Sequence, residues 1–181
     1  LVQLEQHLQD RFTLVTQNVD GLHGRAGNSP KRTFEIHGNI DFYRCVNNCR
    51  TRQPVPDLPA VSKDGGFRSS WSTSLSCQTC GTWMRPHVLW FDEYYDEKNY
   101  RYESALRATV SADILVVVGT TGATSLPAHM LQIALDRGIP VIDINPDNNP
   151  FARAAEHGPG LWLNTTATEG MAQLTEVLLE A

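Results

Sequence analysis

Long apolar runs, an excess of positive charge and plentiful cysteine are all missing from this chain of 181 residues. Its longest unbroken apolar stretch is ILVVV at 114–118, far short of the roughly 18 apolar residues that would suggest a membrane span. Fifteen Lys and Arg stand against twenty Asp and Glu, for a formal net charge of −5 and a pI near 5.6. That balance excludes bulk attraction to nucleic acid. The opening LVQLEQHLQD has neither the basic start nor the cleavage site of a secretory signal. It carries Leu1, Leu4 and Leu8 at helical spacing, so the chain reads as beginning inside a domain. No internal repeat is present. What is present is 41% hydrophobic residues, which excludes disorder throughout, in a length that suits one domain with a small insertion.

The four cysteines, Cys45, Cys49, Cys77 and Cys80, lie in two close pairs. With no sign of export, this favours a metal over disulfides. The spacing Cys45-x3-Cys49, a long loop, then Cys77-x2-Cys80 and Gly81 is close to that of a zinc ribbon. A short spacing lets two thiolates from one turn reach a single ion, and the loop returns the second pair to close the tetrahedron. Four sulfur ligands leave no open position, so such a zinc is structural. Four unliganded thiols or two disulfides are the alternatives. Thiol usage points to a reducing compartment, the cytoplasm, with an organelle kept open because a targeting segment would lie ahead of Leu1.

Punctuation by proline and glycine divides the chain into residues 1–40, a cysteine-bounded module at 41–85, and residues 86–181. FTLVT at 12–16 reads as a strand, followed by a loop with Gly21, Gly24, Gly27 and Pro30. Tyr102, Leu106 and Val110 predict a helix over 99–110, and 114–118 a strand buried on both faces. A helix over 127–136 stopped by Gly138, strands VIDI at 141–144 and LWLN at 161–164, and a helix over 168–179 complete the pattern. The last helix has Thr168 as its N-cap and Met171, Leu174 and Leu178 as its buried stripe. Strands alternating with helices predict a parallel α/β sheet. The middle module, with Pro54, Pro56, Pro59, Gly65 and Gly66 and a Ser-rich run at 69–76, has little periodic core of its own.

Three polar loops follow predicted strands, where ligands collect in open α/β sheets. In TQNVDGLH at 16–23, Gln17, Asn18 and Asp20 are amide and carboxylate groups able to bond ribose hydroxyls or a carboxamide, or else to close an Asx-turn on their own backbone. GTTGATS at 119–125 offers backbone N–H groups and hydroxyls to a phosphate, yet matches neither GxGxxG nor the Walker pattern, and an ordinary βα turn is its alternative. INPD at 144–147 puts Asn145 at the same sheet edge. Together they favour an extended nucleotide. His37, in EIHG, sits where an element ends, with a side chain suited to general-base work. In RPHVLWFDE at 85–93, Val88, Leu89, Trp90 and Phe91 read as core, or as an apolar channel for an alkyl chain.

Taken in order, TQNVDGLH, EIHG, the paired cysteines, RPHVLWFDE, VVVGTTGATS and DINPD resemble the sirtuins, NAD-dependent protein lysine deacylases. The resemblance runs from about residue 4 to the C-terminal helix. It implies a Rossmann-like parallel sheet, incomplete at its N-terminus, that binds NAD through residues 1–40 and 86–181 and carries a small inserted zinc-ribbon module at 41–85. By the resemblance Gln17, Asn18, Val19 and Asp20 meet the nicotinamide end of NAD, with Asn18 joining the chemistry. Gly119, Thr120, Thr121, Asn145, Pro146, Asp147 and Ala167 hold its phosphates and adenosine end. His37 is the general base, and Val88, Trp90 and Phe91 line the path of an acyl-lysine protein or peptide. The four cysteines bind one structural zinc. The implied reaction has the acyl oxygen attack ribose C1′ as nicotinamide leaves, then needs a base for a ribose hydroxyl; it yields free lysine and O-acyl-ADP-ribose. Nucleic acid and membrane are not among the implied partners.

Two motifs depart from the family pattern. Gly-Thr-Ser becomes Gly119-Thr120-Thr121, which keeps a hydroxyl, and Phe-Gly-Glu becomes Phe91-Asp92-Glu93, which adds a charge. The family's first strand, with its Gly-Ala-Gly phosphate loop and the adjoining cofactor-binding loop, belongs ahead of Leu1. A chain limited to these residues is therefore expected to have weak activity or none. Residues that select acidic acyl groups belong to that same segment, so acetyl is the default. The rival readings are a zinc-ribbon binding module or inactive fragment, and an NAD glycohydrolase or ADP-ribosyltransferase.

Overall fold

The computed structural model describes residues 1–58 and 69–180. In chain order the elements are α1 (Val2–Leu8), β1 (Leu14–Thr16), α2 (Leu22–Ala26), β2 (Thr33–Glu35), β3 (Gly38–Cys45), β4 (Gln53–Pro54), β5 (Met84–Val88), α3 (Glu97–Tyr100), α4 (Tyr102–Ser111), β6 (Leu115–Val118), α5 (Ser125–Arg137), β7 (Val141–Ile144), α6 (Pro150–His157), β8 (Leu161–Leu163) and α7 (Ala167–Glu180). β1 and β2 pair in parallel, Leu14 opposite Thr33 and Thr16 opposite Glu35. β6, β7 and β8 form a second parallel sheet in that order. β4, β3 and β5 form an antiparallel sheet. The parallel strands expected from the sequence are thus present as two sheets, with no backbone ladder between them among the described residues.

Two apolar clusters fix the strands that matter for the site. Val117 of β6 and Val141 of β7 pack with Leu131 and Ala134 of α5 and Phe151 and Ala155 of α6. Ile36, directly after β2, is fully buried against Ala105 of α4 and Leu126 of α5. Burying a side chain of that size contributes about 2 kcal/mol, and it anchors the backbone one residue before His37. The antiparallel sheet has a much smaller core, in which Cys45, Cys77 and Met84 meet Tyr43. Residues 59–68, including Pro59, Gly65 and Gly66 of the expected module, lie outside the described residues.

Three expected helices differ in detail. The one expected over 99–110 is divided into α3 and α4 by Arg101, in the left-handed region at φ 51°. Asp96 caps α3, and the Glu97 carboxylate accepts from the Ser104 backbone N–H at 2.9 Å, restarting the helix with its own cap. α5 begins at Ser125, which places Pro127 in the first turn, where its missing N–H costs nothing. α7 begins at Ala167, and Thr166 rather than Thr168 is the cap, its hydroxyl accepting from the Glu169 N–H at 3.3 Å. Met171, Leu174 and Leu178 are half-buried on one face of α7. The buried residue of α7 is Gly170, where a Cβ would stand 2.4 Å from Ile144 Cγ2 of β7. No described helix is long and apolar enough to cross a membrane.

Candidate functional site

His37 is half-buried between β2 and β3, and two partners fix its ring. Its Nδ1 lies 3.1 Å from the Gln17 carbonyl oxygen and its Nε2 2.8 Å from the Tyr95 hydroxyl. A carbonyl oxygen only accepts, so Nδ1 carries the proton and Nε2 of the neutral ring is the acceptor. Burial pushes the His37 pKa down, with the Gln17 carbonyl pulling the other way. The ring is therefore a neutral proton acceptor near pH 7. The next residue must be glycine. Gly38 has φ 88°, and a Cβ there would stand 1.9 Å from the His87 carbonyl oxygen on β5. Tyr95 was not among the residues read from the sequence; it lies two positions past RPHVLWFDE with no periodicity to single it out.

The strand-end loops converge as expected, through Gln17. Its Nε2 donates to Thr120 Oγ1 at 2.8 Å, and its Oε1 accepts from Thr124 Oγ1 at 2.9 Å, joining the ends of β1 and β6. Thr124 lies inside the GTTGATS motif at 119–125, but its tie to Gln17 spans 107 positions and has no local signature. Asn145 joins β7 to the same cluster: its Nδ2 donates to the Thr120 carbonyl at 3.1 Å and its Oδ1 accepts from the Asp147 N–H at 3.2 Å. Asp20 closes an Asx-turn, its Oδ1 accepting from the Leu22 N–H at 3.0 Å. Val19 is held by its carbonyl, which accepts from the Ile40 N–H at 2.9 Å.

The groups left for a ligand are those that the scaffold does not use. Asn18 is exposed, and its side chain has no partner among the described residues. Gly119, at φ 63°, has open space where a Cβ would stand, and Thr121, Pro146, Asp147 and Ala167 are exposed. Open space at a strand-end glycine, next to Thr120 and the amides of Gln17 and Asn145 that meet it, suits the phosphates and sugars of a nucleotide.

The four cysteine sulfurs lie within 4.8 Å of one another. Cys45 to Cys49 and Cys45 to Cys80 are 3.4 Å, Cys49 to Cys77 is 3.3 Å and Cys49 to Cys80 is 3.5 Å. A disulfide needs about 2 Å, whereas tetrahedral zinc with Zn–S near 2.3 Å sets sulfur–sulfur edges of about 3.8 Å. The backbone N–H groups of Asn47 and Thr79 donate to Cys45 and Cys77 Sγ, each at 3.4 Å. The Thr82 hydroxyl, chiefly, pulls the Cys45 thiol down to about 6, while hydrogen bonding to Cys77 pushes Cys49 up to about 12. Four sulfurs so close, none at disulfide distance, fit the ligand set of one structural zinc.

The predicted trio at 88–91 is dispersed. Val88 pairs with Gly38, and the Leu89 N–H donates to the His37 carbonyl at 2.9 Å, so Val88 borders the histidine. Trp90 lies under the Arg85 guanidinium, 3.7 Å from its ring centre, and Phe91 is fully exposed. Glu93 draws this loop back: it accepts from Arg85, from Arg44 at 3.2 Å and from the Trp90 N–H at 2.9 Å. Arg85 above all holds the Glu93 carboxyl below its usual range. A cleft of about 460 Å³ opens beside these charges, and of the predicted residues only Trp90 lines it.

Residues 1–125 match the model of the Sir2 family. The chain is 35% identical over 180 residues to an NAD-dependent protein deacylase of Leptospira interrogans serovar Lai, covering 99% of this chain and 65% of that protein. It is 37% identical over 177 residues to an NAD-dependent protein deacylase of Thermus thermophilus, covering 96% of this chain and 61% of that one. The chain thus spans less than two thirds of these curated relatives. Among solved structures, a Sir2 homolog in complex with NAD superposes with a TM-score of 0.74 at 28% identity, over 98% of this chain and 63% of the other.

Proposed function

The chain belongs to the Sir2 family, and from that premise we propose that it serves an NAD-dependent protein lysine deacylase, with acetyl as the default acyl group. The observation that carries this reading is His37, a neutral imidazole with its proton fixed on Nδ1 by the Gln17 carbonyl, between the loops that end β1 and β6. That state suits a base that takes a proton from a sugar hydroxyl. Gln17, Asn18, Val19 and Asp20 hold the nicotinamide end of NAD. Gly119, Thr120, Thr121, Asn145, Pro146, Asp147 and Ala167 hold the remainder. NAD, when bound, supplies a ribose carbon from which nicotinamide leaves. Asn18 has a free amide to offer the ligand, and Gln17 and Asn145 also tie together the loops that face it.

The acyl-lysine of a protein or peptide enters past Val88, with Trp90 and Phe91 as exposed apolar surface beside the path. Residues 1–40 and 86–181 form the NAD-binding unit and 41–85 the zinc module, a division supported by the sulfur cluster, whose four cysteines all fall inside 41–85. Four thiols clear of disulfides support a reducing compartment, the cytoplasm. Nucleic acid and membrane have no part in this reading.

The test is nicotinamide release from NAD by this chain, with and without an acetyl-lysine peptide, together with mass spectrometry of the peptide. Weak release and deacetylation that both need the peptide are expected. His37→Ala lowers deacetylation roughly 10²–10⁴-fold and leaves bound zinc unchanged. Release without peptide means an NAD glycohydrolase or ADP-ribosyltransferase instead. No release, with zinc bound, means a zinc-ribbon binding module or an inactive fragment.

A further inference from the structure

Both ring nitrogens of His37 are already bonded, Nδ1 to the Gln17 carbonyl and Nε2 to the Tyr95 hydroxyl at 2.8 Å. The carbonyl fixes the proton on Nδ1, so the short Nε2 contact is one in which Tyr95 donates. A sugar hydroxyl can reach the lone pair of the base only by displacing that phenol. The surroundings oppose this. Tyr95 packs on the cluster of Ile36, Ala105 and Leu126. Its ring stacks on Tyr102 at 5.6 Å and 19°, and the Tyr102 hydroxyl in turn meets His129 Nδ1 at 3.0 Å. A hydroxyl that donates one hydrogen bond keeps two lone pairs, so Tyr95 can accept from a substrate while it gives to the histidine.

We propose that Tyr95 is a catalytic relay: its hydroxyl meets the ribose hydroxyl and passes its own proton to His37 Nε2 as it takes the proton of the sugar. This rests on the deacylase reading above. The atoms balance. The ribose O–H bond breaks and a new Tyr95 O–H forms, while the old Tyr95 O–H breaks and Nε2–H forms. The electron pair stays on the ribose oxygen, which becomes the nucleophile, and His37 ends as an imidazolium. Tyr95 is neutral before and after the transfer. That suits a phenol whose burial pushes its pKa up, even with the Thr124 hydroxyl beside it pulling down.

Tyr95→Phe keeps the stacked ring and removes only the hydroxyl. The first readout needs no turnover: nitrogen-15 NMR of the histidine-labelled chain. It is expected to show neutral His37 protonated on Nδ1, with an Nε2 resonance that shifts in Tyr95→Phe as its donor is lost. A proton on Nε2 in the unaltered chain would make Tyr95 the acceptor and overturn the relay. The second readout is kinetic. Tyr95→Phe is expected to slow deacylation about 100-fold at unchanged KM for the peptide. Nicotinamide departure, which precedes the base-dependent step, stays near the unaltered rate. Adding Tyr95→Phe to His37→Ala slows deacylation no further, because the two act as one unit. Unchanged or faster deacylation in Tyr95→Phe, with normal nicotinamide release, overturns the relay alone. Absence of any peptide-dependent nicotinamide release from the unaltered chain overturns the deacylase reading and the relay with it.

Discussion

His87 shows what a single buried ring does to this protein. It is 1% exposed, stacks on Tyr100 at 5.6 Å, and neither ring nitrogen has a hydrogen-bond partner among the described residues. Burial, reinforced by the Arg52 and Arg44 charges, holds its pKa down at about 4. The unfolded chain therefore takes up this proton first as pH falls from 6.5, and the folded state loses stability until about pH 4, where both forms are protonated. Urea titrations across that window are expected to show the loss. His87→Phe, which keeps the stack without the titration, is expected to flatten it; an unchanged slope would assign the acid sensitivity to other groups. At this scale the sequence separated His37 from five other histidines by its motif. It left Tyr95 unmarked, because a hydrogen bond across 58 positions has no local signature.

At the scale of the element, the loop after β7 is a capping device as well as a strand end. Asn149 Oδ1 accepts from the N–H groups of Phe151 and Ala152 at 2.8 and 3.1 Å, and its Nδ2 donates to buried Asp143 at 2.7 Å. Burial pushes the Asp143 carboxyl up, and Asn149 is the partner that offsets it. Asn149→Ala is expected to cost about 2 kcal/mol in denaturant unfolding, above a typical exposed cap because it also strands Asp143. A cost under about 0.5 kcal/mol would mean that the cap is replaceable. β6, α5, β7 and α7 were legible because buried runs and amphipathic spacing are local properties. The break at Arg101 was not, since it follows from Glu97 reaching seven residues ahead to Ser104.

For the whole molecule, stability is unevenly shared. The parallel sheets rest on apolar clusters, whereas the antiparallel sheet rests on a few residues around the sulfurs. Metal binding is then folding free energy for that sheet. Chelation is expected to release one zinc per chain and lower the Tm, and amide exchange is expected to quicken first in β3 and β5 and last in β6 and β7. Cys77→Ser is expected to do the same. Unchanged melting and zinc content in that variant would remove the structural-zinc assignment.

The order of the motifs, the gathering of the four cysteines and the alternation of strand and helix were determined by the sequence alone, because cysteine spacing and hydrophobic period act within a few residues. Only the tertiary structure decided that Gln17 ties β1 to β6, that Glu93 turns Trp90 toward a charged cleft, and that Tyr95 meets His37. Each is a polar contact between distant segments, and its geometry exists only once the apolar clusters have brought those segments together.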